Sequence, residues 1–341
     1  MKIAVDAMGG DFAPGVVIEG VQQALQELPG IQLVLVGHQE KLAFYLEKAG
    51  LKDSPQIELV HAEQVVEMSD PSTAALRAKK KSSITVCADL VKAGKADAIV
   101  SAGHTGAAVA ATKVRLRTLD GVDRPALATL MPAVGGKTIL IDVGANTDCE
   151  PINLVQFAIM AEVYAEITFR IERPRIGLLS VGGEDVKGNE LTKEVFKMLS
   201  GMPINFVGNV EGHDIFNKAS CDVIVCDGFT GNSLLKASEG LARATFHWMK
   251  EAFTRNPLRH AGALLAKDAF KELKAISDSE EFGGAPLLGI RGVCIIGHGA
   301  SSPKAVKNAI RLSDNYLKLG LTDRIVKRIK ECGAAVNHPV G

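Results

Sequence analysis

Two nucleotide-binding signatures are missing: neither GxGxxG nor GxxxxGK[ST] occurs in the 341 residues. The first absence weighs against a dinucleotide-binding βαβ unit, the second against a P-loop NTPase. Net charge is missing as well, since 39 Lys and Arg balance 39 Asp and Glu. The whole chain is therefore no nucleic-acid binder by charge, and a charge-driven partner must use a local patch. No CxxC pair links Cys87, Cys149, Cys221, Cys226, Cys294 and Cys332. Buried, reduced thiols in a reducing compartment are expected. The eight histidines show no HxxxH or Cys/His spacing for a metal. No basic leader precedes the apolar Ile3-Ala4-Val5, and no apolar stretch reads as long enough to span a bilayer. A cytoplasmic location is the expectation.

What the chain does have is ordinary globular composition, 47% hydrophobic and 23% charged. Short apolar runs at 3–5, 31–36, 57–61, 98–101, 126–131, 138–142, 175–181, 204–207, 222–226 and 293–296 read as strands. Helical periodicity fills 16–28, 106–116, 154–167, 191–199 and 303–317. The alternation predicts an α/β fold: three α/β/α layers, doubly wound around a mostly parallel sheet. One domain over 1–331 is expected, with a frayed tail over 332–341. The stretch 232–276 breaks the pattern and reads as an excursion of two helices divided at Asn256-Pro257.

Five predicted strands run into a glycine-containing loop and then a helix. The loops are Ser101-Ala102-Gly103-His104-Thr105-Gly106, Asp142-Val143-Gly144-Ala145-Asn146-Thr147, the segment 181–190, Asp227-Gly228-Phe229-Thr230-Gly231-Asn232, and Gly297-His298-Gly299-Ala300-Ser301-Ser302. Glycine lets backbone approach a ligand, and a helix N-terminus presents unpaired N–H groups. Together they suit a phosphate. Turns and helix caps need the same residues without any ligand. Each loop also carries Asn, Asp, Lys, Glu or His beyond turn needs, and five loops on one sheet edge would converge on one pocket.

These loops resemble the bacterial acyl-ACP:phosphate acyltransferase family, PlsX. The likeness rests on Ala4-Val5-Asp6-Ala7-Met8-Gly9-Gly10-Asp11, the Ser101 and Asp142 loops, Glu184-Asp185-Val186-Lys187-Gly188, Asp227-Gly228-Phe229-Thr230-Gly231-Asn232 and His298-Gly299. It covers nearly the whole chain. It implies a fold like isocitrate and isopropylmalate dehydrogenases and phosphotransacetylase. It further implies a homodimer with no metal or organic cofactor, and transfer of an acyl group from acyl carrier protein to inorganic phosphate for phospholipid synthesis. Three positions depart from the family pattern: His104 for Asn, Gly183 for Thr, Phe282 for Tyr.

That chemistry assigns expected roles. Ser101, Gly103, Thr105, Gly106, Gly144, Gly228 and Thr230 would give N–H and hydroxyl donors to phosphate. Lys187 would offer charge to phosphate or the departing thiolate. Asn146 and Asn232 would donate to the oxyanion, with Asp142 and Asp227 orienting them. His298 would act as general acid or phosphate ligand. Cys149 is a weaker candidate, for an acyl-enzyme, because no histidine neighbours it in sequence and phosphate can attack directly.

In the excursion, Lys250, Arg255, Arg259 and Lys267 surround an apolar tip of Leu258, Leu264 and Leu265. A dimer interface with a solvated outer face is one reading. A platform for acidic acyl carrier protein and reversible membrane contact is the other. The resemblance favours both uses and places the chain near a downstream membrane-bound glycerol-3-phosphate acyltransferase. Rival readings are an acyl-CoA phosphotransacetylase, a decarboxylating dehydrogenase and a non-catalytic lipid-synthesis scaffold.

Overall fold

The computed structural model describes residues 1–67, 69–70, 78–276 and 279–335. Its strands form one eleven-stranded sheet in the order β3-β2-β1-β4-β11-β10-β5-β6-β9-β7-β8. The strands are β1 (Lys2–Asp6), β2 (Gln32–Gly37), β3 (Ile57–His61), β4 (Ala98–Ser101), β5 (Ala126–Ala133), β6 (Gly136–Ile141), β7 (Ile176–Leu179), β8 (Phe206–Val210), β9 (Val223–Val225), β10 (Ala285–Leu288) and β11 (Val293–Ile296). Helices α1 (Gly15–Glu27), α2 (Gln39–Lys48), α3 (Ser83–Lys92), α4 (Thr105–Leu116), α5 (Pro151–Phe169), α6 (Glu190–Ser200), α10 (Pro303–Lys318) and α11 (Leu321–Glu331) cover the sheet.

Strand alternation divides the core between the two faces. Ile3 and Val5 pack with Val17 and Ile18 of α1. Ala4 between them packs with Ile84 of α3 on the other side. Both faces being covered, the central strands are apolar throughout, as the three-layer expectation requires.

The sheet is mostly parallel, as expected, but antiparallel pairings divide it into two blocks. β3, β2, β1, β4 and β11 are mutually parallel, and so are β6, β9, β7 and β8. Between the blocks, β10 is antiparallel to β11 and β5, and β5 is antiparallel to β6. The two parallel blocks therefore run in opposite directions. The cause is local: β5 and β6 form a hairpin in which Ala133 faces Gly136, and Gly135 at φ 86° makes the tight turn. The five loops do not share one carboxyl edge. Strand β10 is absent from the sequence reading because it is short and contains Pro286, which donates no ladder hydrogen bond.

Helix α5 corrects the expectation about membrane spans. It is long and apolar enough to cross a bilayer, at a mean hydropathy of 1.3, yet 78% of that window is buried in the fold. It is a core helix. It buries Glu162 at 2% side-chain exposure, and Arg328 of α11 pairs with that carboxylate at 2.7 Å. Beyond α11, Gln156 Nε2 donates to the Ala334 carbonyl at 2.6 Å, so the chain is tied down as far as Ala334. The rest of the expected frayed tail, 336–341, lies outside the described residues.

The excursion begins earlier than expected and holds three helices: α7 (Gly228–Thr254), α8 (Pro257–Leu265) and α9 (Lys267–Ile276). Asn256 caps α8 by accepting from the Arg259 N–H, and Pro257 opens it. Phe253 of α7 meets Phe270 of α9 edge-on at 5.0 Å. Lys250, Arg255, Leu258, Arg259, Leu264, Leu265 and Lys267 are all exposed, Leu265 at 92%.

Replacing Arg328 by Ala leaves Glu162 buried and unpaired. Urea unfolding should show a loss of about 3 kcal/mol, the lower end for a broken buried pair. The lower end applies because Arg328 keeps 25% of its side chain in solvent.

Candidate active site

Asp142 follows β6 and is wholly buried. Its Oδ1 accepts from the N–H groups of Leu127, Gly144 and Ala145 at 3.0, 3.2 and 3.0 Å. Its Oδ2 accepts from the Asn146 N–H at 2.7 Å and the Asn146 amide at 2.9 Å. Burial raises the carboxyl above its ordinary range, and these hydrogen bonds pull it back. Asp142 thus holds together the loop that follows β6.

The same network corrects several expected donors. Asn146 spends both amide hydrogens, on Asp142 and on the Pro125 carbonyl at 2.7 Å, so none is left for an oxyanion. The Gly228 N–H donates to the Asn146 carbonyl at 2.7 Å, and the Gly144 N–H is held by Asp142. Asp227 caps α7, accepting both the N–H of Thr230 at 2.9 Å and its hydroxyl at 2.7 Å. Thr230 therefore has no hydrogen to offer phosphate. The glycines in this motif serve close packing. A Cβ on Gly231 would stand 1.9 Å from the Asp142 carbonyl oxygen, and one on Gly228 2.5 Å from that of Asn146. Only glycine lets α7 start against this loop.

A second buried acid works likewise in the other block. Asp6, at the end of β1, accepts the Ser101 hydroxyl at 2.8 Å, and Ser101 Oγ accepts the Gly103 N–H at 3.2 Å. Ser101 and Gly103 are thereby also spent within the protein. A Cβ on Gly9 would lie 2.7 Å from Asp6 and 2.8 Å from the Gly103 nitrogen, so the 6–11 turn packs directly on this loop. His104 caps α4, its Nδ1 accepting from the Ala107 N–H at 3.3 Å. The N–H groups of Thr105 and Gly106, in the first turn of α4, have no acceptor among the described residues. After β11, His298 Nδ1 accepts from the Ala300 N–H at 3.2 Å. Its ring hydrogen is then on Nε2, which makes it a hydrogen-bond donor.

Despite their opposite strand directions, the blocks meet at one cavity of about 560 Å³. The first block supplies His104, Thr105, Gly106, Gly297 and His298, and the second supplies Val143, Gly144 and Asn232. Asn232 lies against Gly144, where a Cβ would be 3.5 Å from it, and its amide has no partner among the described residues. Four of the five loops thus converge. The fifth does not: Lys187 is exposed and outside the cavity lining, its N–H donating to the Glu184 carbonyl at 3.0 Å.

A sequence model of the family described as "Fatty acid synthesis protein" matches residues 1–324. The phosphate acyltransferase of Geobacter sulfurreducens is 49% identical over 330 residues, spanning 97% of this chain and 94% of its own. That of Geotalea daltonii is 49% identical over 340 residues, 100% of this chain and 96% of its own. The chain belongs to the phosphate acyltransferase family. Among solved structures, a phosphotransacetylase from Streptococcus pyogenes matches 97% of this chain and 94% of its own with a TM-score of 0.58. At 18% identity that likeness is one of fold.

For a phosphate acyltransferase, the walls of the cavity matter as much as its polar end. Leu127 and Met131 of β5, Leu235 and Ala242 of α7, Phe216 and Phe282 make them apolar. The sequence reading missed this wall because its residues look like ordinary core. Lys137 stands over the Phe282 ring at 4.0 Å, a contact the aromatic ring supplies without a hydroxyl. Cys149 lies half-buried near Asn146, its thiol pushed up to about 11 chiefly by burial and next by the Asp142 charge. A thiol so rarely ionised at neutral pH is a poor nucleophile.

Gly231→Ala should lower stability by about 3 kcal/mol, as an overpacked contact does. Gly240→Ala is the control on the same helix, since a Cβ there meets nothing within 4 Å. It should be neutral or gain roughly 0.5–1 kcal/mol. Chemical denaturation of both variants checks the contrast.

Proposed function

We propose that this phosphate acyltransferase moves a fatty acyl group from the thioester of acyl carrier protein to inorganic phosphate, without an acyl-enzyme. The observation that carries the reading is the cavity itself: open N–H, amide and imidazole donors at one end, apolar walls beside them. An anion fits the first and an acyl chain the second. Phosphate, held by Thr105, Gly106 and His298, attacks the thioester carbonyl. Asn232 donates to the oxyanion as it forms. The carbon–sulfur bond then breaks, and the proton of the attacking phosphate ends on the departing sulfur. The products are acyl phosphate and the free carrier thiol, which feed phospholipid synthesis. His298 serves here as phosphate ligand rather than general acid. Its Nδ1 already accepts from the Ala300 N–H, which leaves Nε2 for the phosphate oxygens.

The helical excursion is assigned to partners. Its exposed Lys250, Arg255, Arg259 and Lys267 suit an acidic carrier protein, and Leu258, Leu264 and Leu265 suit the cytoplasmic face of a membrane. A homodimer would bury part of α7. Proximity to a membrane-bound glycerol-3-phosphate acyltransferase would follow from membrane contact.

Acyl phosphate formation should be measured with acyl carrier protein and with coenzyme A as donor, at saturating phosphate. Faster turnover of acyl-ACP is expected, and Asn232→Ala should cut it by about two orders of magnitude. Preference for acyl-CoA would favour a phosphotransacetylase, and an unimpaired Asn232→Ala would remove the oxyanion role. In liposome flotation, Leu264→Glu with Leu265→Glu should abolish membrane recovery. Unchanged recovery would mean that this tip makes no membrane contact.

A further inference from the structure

We infer that His104 binds phosphate directly, as a second imidazole donor beside His298. The inference rests on the reading of the cavity as the phosphate site. Strands β4 and β11 are adjacent and parallel, with Ser101 opposite Ile296. His104 and His298 therefore leave neighbouring strands at nearly the same level, and both line the cavity. Their loops are tied together, the Gly297 N–H donating to the Ser101 carbonyl at 2.8 Å.

Each ring is anchored in the same manner. Nδ1 of His104 accepts from the Ala107 N–H at 3.3 Å, and Nδ1 of His298 accepts from the Ala300 N–H at 3.2 Å. An accepting ring nitrogen carries no hydrogen, so both rings hold theirs on Nε2. Neither Nε2 has an acceptor among the described residues. The nearby acid Asp70 is already engaged by Lys79 at 2.5 Å and by the Glu67 N–H at 2.8 Å. Asp6 is likewise engaged by Ser101. The open edge of His104 thus belongs with the unpaired N–H groups of Thr105 and Gly106, a set of donors that matches the several acceptor oxygens of one phosphate. One side chain does two jobs: Nδ1 caps α4, and Nε2 holds the ligand.

Two substitutions separate the jobs. His104→Asn keeps an acceptor at the cap and removes Nε2, whereas His104→Ala removes both. Inorganic phosphate binding is measured by titration calorimetry on the full chain, with the KM for phosphate, the KM for acyl donor and the melting temperature alongside. His104→Asn should bind phosphate about tenfold more weakly, as loss of a hydrogen bond to a charged group predicts. Its KM for phosphate should rise in step, with donor KM and melting temperature unchanged. His104→Ala should add a fall in melting temperature. Wild-type phosphate affinity in His104→Asn overturns the inference, leaving His104 a cap only, while acyl phosphate formation by the wild type keeps the proposed function standing. Weakened phosphate binding in His104→Asn, with no acyl phosphate made by the wild type, supports the inference and sinks the acyl-transfer reading. A wild-type chain that takes up no phosphate overturns both.

Discussion

The buried carboxylate of Asp142 collects five donor hydrogens from Leu127, Gly144, Ala145 and Asn146. A carboxyl group removed from water is costly unless its oxygens are satisfied, and here they are. Satisfying them fixes the loop after β6. That loop in turn fixes the first turn of α7, because Gly228 and Gly231 have no room for a side chain against it. Asn232, next after Gly231, lies against Gly144 and lines the cavity. Asp6, Ser101 and Gly103 repeat the device in the other block and set the start of α4. Two strand-end acids thus hold loops on the two sides of one cavity.

This arrangement explains why so many loop residues face inward. A catalytic pocket must hold its few open donors within narrow limits, and the neighbouring donors are consumed in doing so. Most of the polar groups in the loops at Ser101, Asp142 and Asp227 bind one another. On the proposed reading, Thr105, Gly106, Asn232 and the two histidines remain for the ligand. The apolar wall of β5 and α7 beside them is what an acyl substrate requires and what a purely phosphate-binding protein would lack.

Much of the fold was legible in the sequence because the central strands are short and apolar on both faces. The helices flanking them are clearly periodic. Reversal of strand direction was not legible, since a hairpin at Gly135 turns the chain without altering the apolar pattern of β5 and β6. Nor was the true start of α7, because Gly228 and Gly231 read as loop residues until the close packing around them is seen. The site was legible as a set of loops, not as a set of donors. Asn146 and Asn232 look alike in sequence, yet one is sealed between Pro125 and Asp142 and the other opens on the cavity. Lys187 sits in a glycine-containing loop like the others, yet it is exposed and lies outside the cavity lining.

On the proposed reading, loops from two oppositely directed halves of the sheet act on one phosphate during acyl transfer. A double-mutant cycle between Asn232→Ala, in the second half, and His298→Ala, in the first, tests it through kcat/KM for phosphate. Residues that share a substrate are coupled, so the double variant should differ from additivity by about 1 kcal/mol or more. Additivity within roughly 0.3 kcal/mol, the behaviour of independent sites, would mean that the two residues do not share a phosphate.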